Sequence, residues 1–167
     1  ITQRIVEEGH DIANHTYTHR DLSPTTRQIV LYQIRKTEKA IFKATGVKTN
    51  LFRPPRGIYS NTVRKLLLKE GYKIILWTVS TLDWRQVSAE KMLRRVKLYV
   101  RDGGIVLFHD SGALLRREGA SRERTIDALP LIIDYLRNEQ GFKIIPVSEM
   151  LYRLEKAESE VLLGRAK

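Results

Sequence analysis

The amino-acid sequence predicts an α/β protein in which parallel strands are covered by helices in a β/α-barrel arrangement. Strand and helix signals alternate along the whole chain. Two runs, Tyr72 to Val79 and Ile105 to His109, are almost continuously apolar, as strands buried on both faces are. The residues richest in chemistry, His15, Arg53, Asp83 and His109, fall at the C-terminal ends of expected strands, the face on which β/α barrels build their sites. No glycine-rich phosphate fingerprint follows any strand, which weighs against a dinucleotide fold.

Ile1, Ile5 and Val6 already follow helical spacing with Gly9 as a stop, and no capping residue precedes them. With no Met and no signal segment ahead of this helix, the expectation is a piece of a longer protein. Asp11 to His15 is a short strand. Ser23-Pro24 offers an N-cap and a first-turn proline for a helix carrying Val30, Ile34, Thr37 and Ile41 inward and ending at Gly46. Asn50 to Arg53 is extended, because each residue before a proline is pushed out of the α region. Ser60 caps a helix through Val63, Leu66 and Leu67, stopped by Gly71. The strand Tyr72 to Val79 follows, then a helix capped by Ser88 with Met92, Leu93, Val96 and Val100 inward, ended by Gly103-Gly104. Ile105 to His109 is the next strand. Thr125 to Asn138 is helical with Pro130 inside it, predicting a kink or a late start. Phe142 to Val147 is a last strand before a closing helix near Ser148.

At 167 residues the chain is one domain by length, and 42% apolar residues suffice for a core. No apolar run approaches the ~20 residues that span a bilayer. The absence of cysteine excludes thiolate ligands and a cysteine nucleophile. A formal charge of +11, from 30 Lys and Arg against 19 Asp and Glu, fits nucleic acid, an anionic membrane surface or an acidic wall polymer, or a solvated basic surface with no specific partner. Nucleic acid is disfavoured, because the chain lacks interleaved aromatics and any recognisable binding motif.

His15 and His19 stand four apart in Asn14-His15-Thr16-Tyr17-Thr18-His19, a spacing that can bring two imidazoles to one side of a helical turn and onto one metal ion. Thr16 stands where a zinc-protease motif needs glutamate, so the pair is not of that type. It is either a ligand pair or two imidazoles hydrogen-bonded at a strand–helix junction. His10 reads as structural. Arg53-Pro54-Pro55-Arg56-Gly57 is a stiff loop able to fix a guanidinium and a backbone N–H, parts that orient a carboxylate and stabilise an oxyanion, or else a rigid turn with exposed arginines. Asp83 can hydrogen-bond a neighbouring imidazole and raise its pKa, and Trp84 can wall a small apolar pocket. His109 ends an apolar run, either as a satisfied core residue or as a titratable group beside a metal.

Together these motifs resemble the polysaccharide deacetylase family (carbohydrate esterase family 4, the NodB homology domain). Four of its five ordered motifs are matched: His-Ser/Thr-x-x-His by His15 to His19, Arg-x-Pro-Tyr by Arg53 to Arg56, Asp-x-x-Asp-Trp by Ser80 to Trp84, and Leu-x-His by Leu107 to His109. The resemblance runs from Ile1 to about Leu154, so residues 1–154 are expected to be an N-terminally truncated catalytic domain and 155–167 a polar tail. The implied fold is an incomplete, distorted (β/α) barrel of the NodB type. Three departures stand out. The family's first motif, which holds two aspartates, is absent; Arg56 replaces the motif tyrosine; and Ser80 replaces the first aspartate of the fourth motif.

The resemblance implies a metal-dependent hydrolase that removes N-acetyl groups from amino sugars of peptidoglycan or a chitin-like oligosaccharide. It makes His15 and His19 ligands of Zn²⁺, or Co²⁺ or a similar divalent ion, with an upstream aspartate as third ligand and a second as base. It makes Arg53 a positioning group for that base, Arg56 an oxyanion contact through its N–H, His109 a general acid supported by Asp83, and Leu107 and Trp84 the walls around the acetyl methyl. Arg56 also resembles the subgroup acting on muramic acid. An extracytoplasmic or cell-envelope location follows by the same resemblance, while oligomeric state is left open. The fragment alone is expected to have little activity. The alternatives are a non-catalytic carbohydrate-binding remnant and a small-molecule amidase on the same barrel.

Overall fold

The computed structural model describes residues 1–110 and 121–165; residues 166 and 167 of the expected tail lie outside it. The chain divides into two compact units, Ile1–Leu76 with Pro146–Lys167, and Trp77–Ile145.

In the first unit α1 (Thr2–Glu7) leads to an extended segment and then α2 (Arg27–Thr45). Helix α2 starts later than Ser23-Pro24 would place it. The cap is Thr26, extended at ψ 157°, whose hydroxyl accepts from the Ile29 N–H at 3.4 Å. Gly46, at φ 71°, closes the helix as expected. Strand β1 (Leu51–Phe52) pairs in parallel with β2 (Lys73–Ile74). On its other side β1 meets, among the described residues, one bridging residue, Asn14 with Phe52, so the expected strand at 11–15 reduces to a single rung. Helix α3 (Asn61–Lys69) is capped by Ser60, which accepts from the Val63 N–H at 3.2 Å. The fully buried Phe52 stands edge-on to Tyr72, ring centroids 5.7 Å apart, among Leu22, Val30, Ile34, Val63, Leu66 and Leu67. Each such aliphatic side chain contributes about 1.5–3 kcal/mol by leaving water. Helix α6 (Val147–Arg165) receives the Asp11 carboxylate on its Ser148 N–H at 2.7 Å, and the segment expected as a polar tail continues it to Arg165.

In the second unit β3 (Val79–Ser80) pairs in parallel with β4 (Val106–Leu107). Helix α4 (Ala89–Tyr99) is capped by Ser88 as expected, and α5 (Glu123–Asp134) runs on through a π turn at Tyr135–Glu139. Val79, Met92, Val96, Val100, Ala128, Ile132, Tyr135 and Leu136 form the core. Helix α5 begins two residues before Thr125 and carries Pro130 inside it.

The α/β class and the parallel pairing are as the sequence predicts, but two strands differ. Tyr72 to Val79 is not one strand. Its ends pair with different partners, and between them the carbonyls of Ile75 and Leu76 face the Arg53 guanidinium at 3.3 and 3.5 Å. Phe142 to Val147 forms no ladder; Phe142 instead packs on the second core, and Val147 opens α6. Tertiary contacts override β propensity there.

Candidate active site

The two histidines converge through a loop, not through a helical turn. Thr16 and His19 lie in the left-handed region, at φ 65° and 53°, and this reversal sets the imidazoles 5.0 Å apart between centroids, at 71° to each other. Two buried polar residues hold the loop. Asn14, wholly buried, accepts the Thr16 N–H on Oδ1 at 3.1 Å and donates from Nδ2 to the Ile34 carbonyl at 3.0 Å and the Tyr72 hydroxyl at 3.2 Å. Tyr72 in turn donates to Glu38 at 2.6 Å, and burial together with that carboxylate pushes its phenol above the usual range. From α2, Gln33 accepts the N–H groups of Tyr17 and Thr18 on Oε1 at 2.8 and 2.9 Å and donates to the Thr18 hydroxyl at 3.0 Å.

Arg53 ties this loop to β1. Its N–H donates to the Asn14 carbonyl at 2.9 Å, and its own carbonyl lies 2.6 Å from His15 Nδ1. A carbonyl only accepts, so Nδ1 of His15 carries a proton, and in the neutral ring Nε2 holds the lone pair. This is how a ligating imidazole is usually oriented. The Arg53 guanidinium is half-buried, which lowers its pKa from the usual value. Arg56, at φ 56°, forms an ion pair with Asp21. The His15 tautomer and the convergence of the rings fit two nitrogen ligands of a borderline-soft divalent ion. Among the described residues, no group of three His, Cys, Asp or Glu is placed to hold a metal, so a third donor is not supplied there.

In the second unit Asp83 and His109, 26 residues apart, meet. Asp83 is 1% exposed; its Oδ1 takes the ring Nδ1–H of His109 at 2.8 Å and its Oδ2 the backbone N–H at 2.6 Å. Burial alone would raise the Asp83 carboxyl, but the donors and the attraction of His109 outweigh it and hold the group below the usual carboxylate range. Nδ1 is thereby committed to Asp83, and Nε2 is the ring nitrogen of His109 that Asp83 does not hold. A buried Thr81 hydroxyl donates to the Leu107 carbonyl at 2.8 Å, fixing the strand end that presents His109. Leu82 and Gln86, at φ 60° and 58°, bracket the turn Asp83–Arg85, and Gln86 Nε2 ties it to the Ser121 carbonyl at 3.0 Å. Trp84 is half-buried with the Arg85 guanidinium 4.7 Å over its ring, and Leu107 is buried.

Among the described residues, the non-glycine positions with positive φ are Thr16, His19, Arg56, Leu82 and Gln86, all in or beside the four sequence motifs. Such conformations cost about 1–3 kcal/mol each and persist where the surroundings enforce them. Within the first unit the fold brings His15, His19 and Arg53 together; within the second it brings Asp83 to His109. The sequence reading missed Asn14, Gln33, Tyr72 and Thr81. One signal was available: Gln33 is a polar residue beside Ile34 on the buried stripe of α2.

A family profile described as polysaccharide deacetylase matches residues 1–75. The chitooligosaccharide deacetylase of Sinorhizobium fredii is 32% identical over 148 residues, covering 86% of this chain and 68% of that protein. The chain belongs to the polysaccharide deacetylase family. The peptidoglycan-N-acetylglucosamine deacetylase PgdA of Listeria monocytogenes is also 32% identical, over 90% of this chain but 29% of its own length. A CE4 family pseudoenzyme from Bacillus anthracis shares the fold with a TM-score of 0.77 at 31% identity, covering 90% of this chain and 49% of that one. A mutant of that pseudoenzyme has restored enzymatic activity. The chain thus spans 29% of the length of PgdA and about half of the pseudoenzyme chain.

Proposed function

We propose that this chain carries the metal-binding and proton-transfer residues of a hydrolase that removes N-acetyl groups from amino-sugar polymers of the cell envelope. The observation that supports it most is the orientation of two imidazoles through Nδ1, His15 by the Arg53 carbonyl and His109 by Asp83. His15 and His19, with a third donor such as an aspartate of the family's first motif, would hold Zn²⁺ or a similar ion. That ion would supply Lewis-acid activation of water and of the acetamide carbonyl. His109, with Nδ1 held by a charged Asp83, donates from Nε2 to the departing amine, whose protonation is the step a neutral leaving group requires. Arg53 positions a catalytic carboxylate, the Arg56 N–H faces the developing oxyanion, and Trp84 and Leu107 enclose the acetyl methyl. Two of the relatives named above are a peptidoglycan-N-acetylglucosamine deacetylase and a chitooligosaccharide deacetylase, which favours such a glycan here and a site of action at the cell envelope.

The similarity to a CE4 family pseudoenzyme favours a second reading, a glycan-binding protein without turnover. Acetate release from chitopentaose and from peptidoglycan, measured for the protein expressed from its complete reading frame with and without chelator, separates the two. Chelator-sensitive release supports the hydrolase. Glycan binding with no release supports the second reading.

A further inference from the structure

Outside the residues given catalytic roles, one surface cluster lies on the histidine loop itself. Tyr17 sits midway between His15 and His19 in sequence and is 52% exposed, yet its backbone N–H is gripped by the buried Gln33. Tyr32, 53% exposed, precedes Gln33 on α2, and Lys36 follows one turn later. The Lys36 ammonium lies 5.3 Å from the centroid of Tyr17 and 5.5 Å from that of Tyr32. Two rings therefore share one cation, which restrains a lysine that would otherwise sample many rotamers.

We propose that Tyr17, Tyr32 and Lys36 form a saccharide subsite on helix α2 and the loop that carries the histidine pair, selective for an amino sugar that bears a carboxylate; this rests on the glycan reading above. An exposed tyrosine ring presents an electron-rich face to the weakly positive C–H groups of a pyranose, at low conformational cost because it has two rotatable bonds. A restrained ammonium at the edge of that platform supplies the complementary charge for a carboxylate on the same sugar or the next. The backbone clamp from Gln33 matters because a stacking platform on a loose loop would have to be ordered on binding. The excess of 30 basic over 19 acidic residues favours an anionic glycan in the same sense.

The test is equilibrium binding, which does not depend on turnover. The probes are chitopentaose, which is neutral, and an N-acetylglucosamine–N-acetylmuramic acid oligomer with free carboxylates. Tyr17→Ala is expected to weaken both, by about fivefold or more. Lys36→Gln is expected to weaken only the carboxylated oligomer, by about fivefold, and to reduce the salt dependence of its binding, while Lys36→Arg restores both. All three side chains are exposed, so unchanged far-UV circular dichroism and melting temperature are expected to accompany these shifts. Equal loss of both glycans in Lys36→Gln, no loss in either variant, or a wild type that binds neither oligomer would each overturn the subsite. Failure of the hydrolase reading would show separately, as binding intact with no acetate released.

Discussion

Replacing Gln33 by Leu removes one of the two buried polar anchors of the histidine loop while nearly conserving volume at a site 4% exposed. Three hydrogen bonds are lost: two backbone N–H groups lose their acceptor and the Thr18 hydroxyl its donor. A buried donor left unsatisfied costs about 1–3 kcal/mol. The loop is only partly buried, so water recovers some of that, and the expected loss is about 2–4 kcal/mol. Gln33→Glu keeps the acceptor for both N–H groups and lets the Thr18 hydroxyl turn to donate, so it is expected to cost under about 1 kcal/mol at neutral pH. Urea unfolding followed by circular dichroism gives both numbers, and amide exchange at Tyr17 and Thr18 is expected to accelerate in the Leu variant alone. A Gln33→Leu protein within about 0.5 kcal/mol of wild type, or a Glu variant as unstable as the Leu one, would refute the reasoning.

Three further outcomes follow from the geometry. Asp83 has a folded pKa below its unfolded value of ~3.9, so its stabilising contribution is full above about pH 4 and is lost as pH falls through the folded value. Urea unfolding at pH 7 and pH 3 is therefore expected to show a smaller acid loss in Asp83→Asn than in wild type. Gly104→Ala would place a Cβ 2.7 Å from the Arg101 carbonyl and 3.2 Å from the Thr78 hydroxyl, and a destabilisation of about 1–3 kcal/mol is expected in the same assay. Thr16→Gly relieves a β-branched residue at φ 65° whose buried hydroxyl has no hydrogen-bond partner among the described residues, and is expected to raise stability by about 1 kcal/mol despite the flexibility of glycine in the unfolded chain.

What could be read from the sequence was what depends on near neighbours. Ser60 and Ser88 reach only three residues along the chain, so residue type and position suffice to announce their caps. The split of Tyr72 to Val79 was hidden because its cause is distant: Arg53 draws on the carbonyls at 75 and 76, and the two ends find different partner strands. The site shows the same division. The types His15, His19, Asp83 and His109 and their order were legible, and the family resemblance they carry implied the Asp83–His109 contact. The loop geometry was not, because a left-handed Thr16 and His19 run against local preference and are enforced by Asn14 and Gln33 through tertiary hydrogen bonds. Arg56 shows both sides: its place in the motif was visible, its ion pair with Asp21 was not.

The central claim assigns different tasks to different histidines, and one paired measurement tests it most directly: bound metal by elemental analysis and acetate release, on the protein expressed from its complete reading frame. His15→Ala is predicted to lose both metal and turnover, whereas His109→Ala is predicted to keep its metal and lose turnover by about a hundredfold or more. Turnover preserved in His109→Ala, or metal retained at the wild-type level in His15→Ala, would contradict the account.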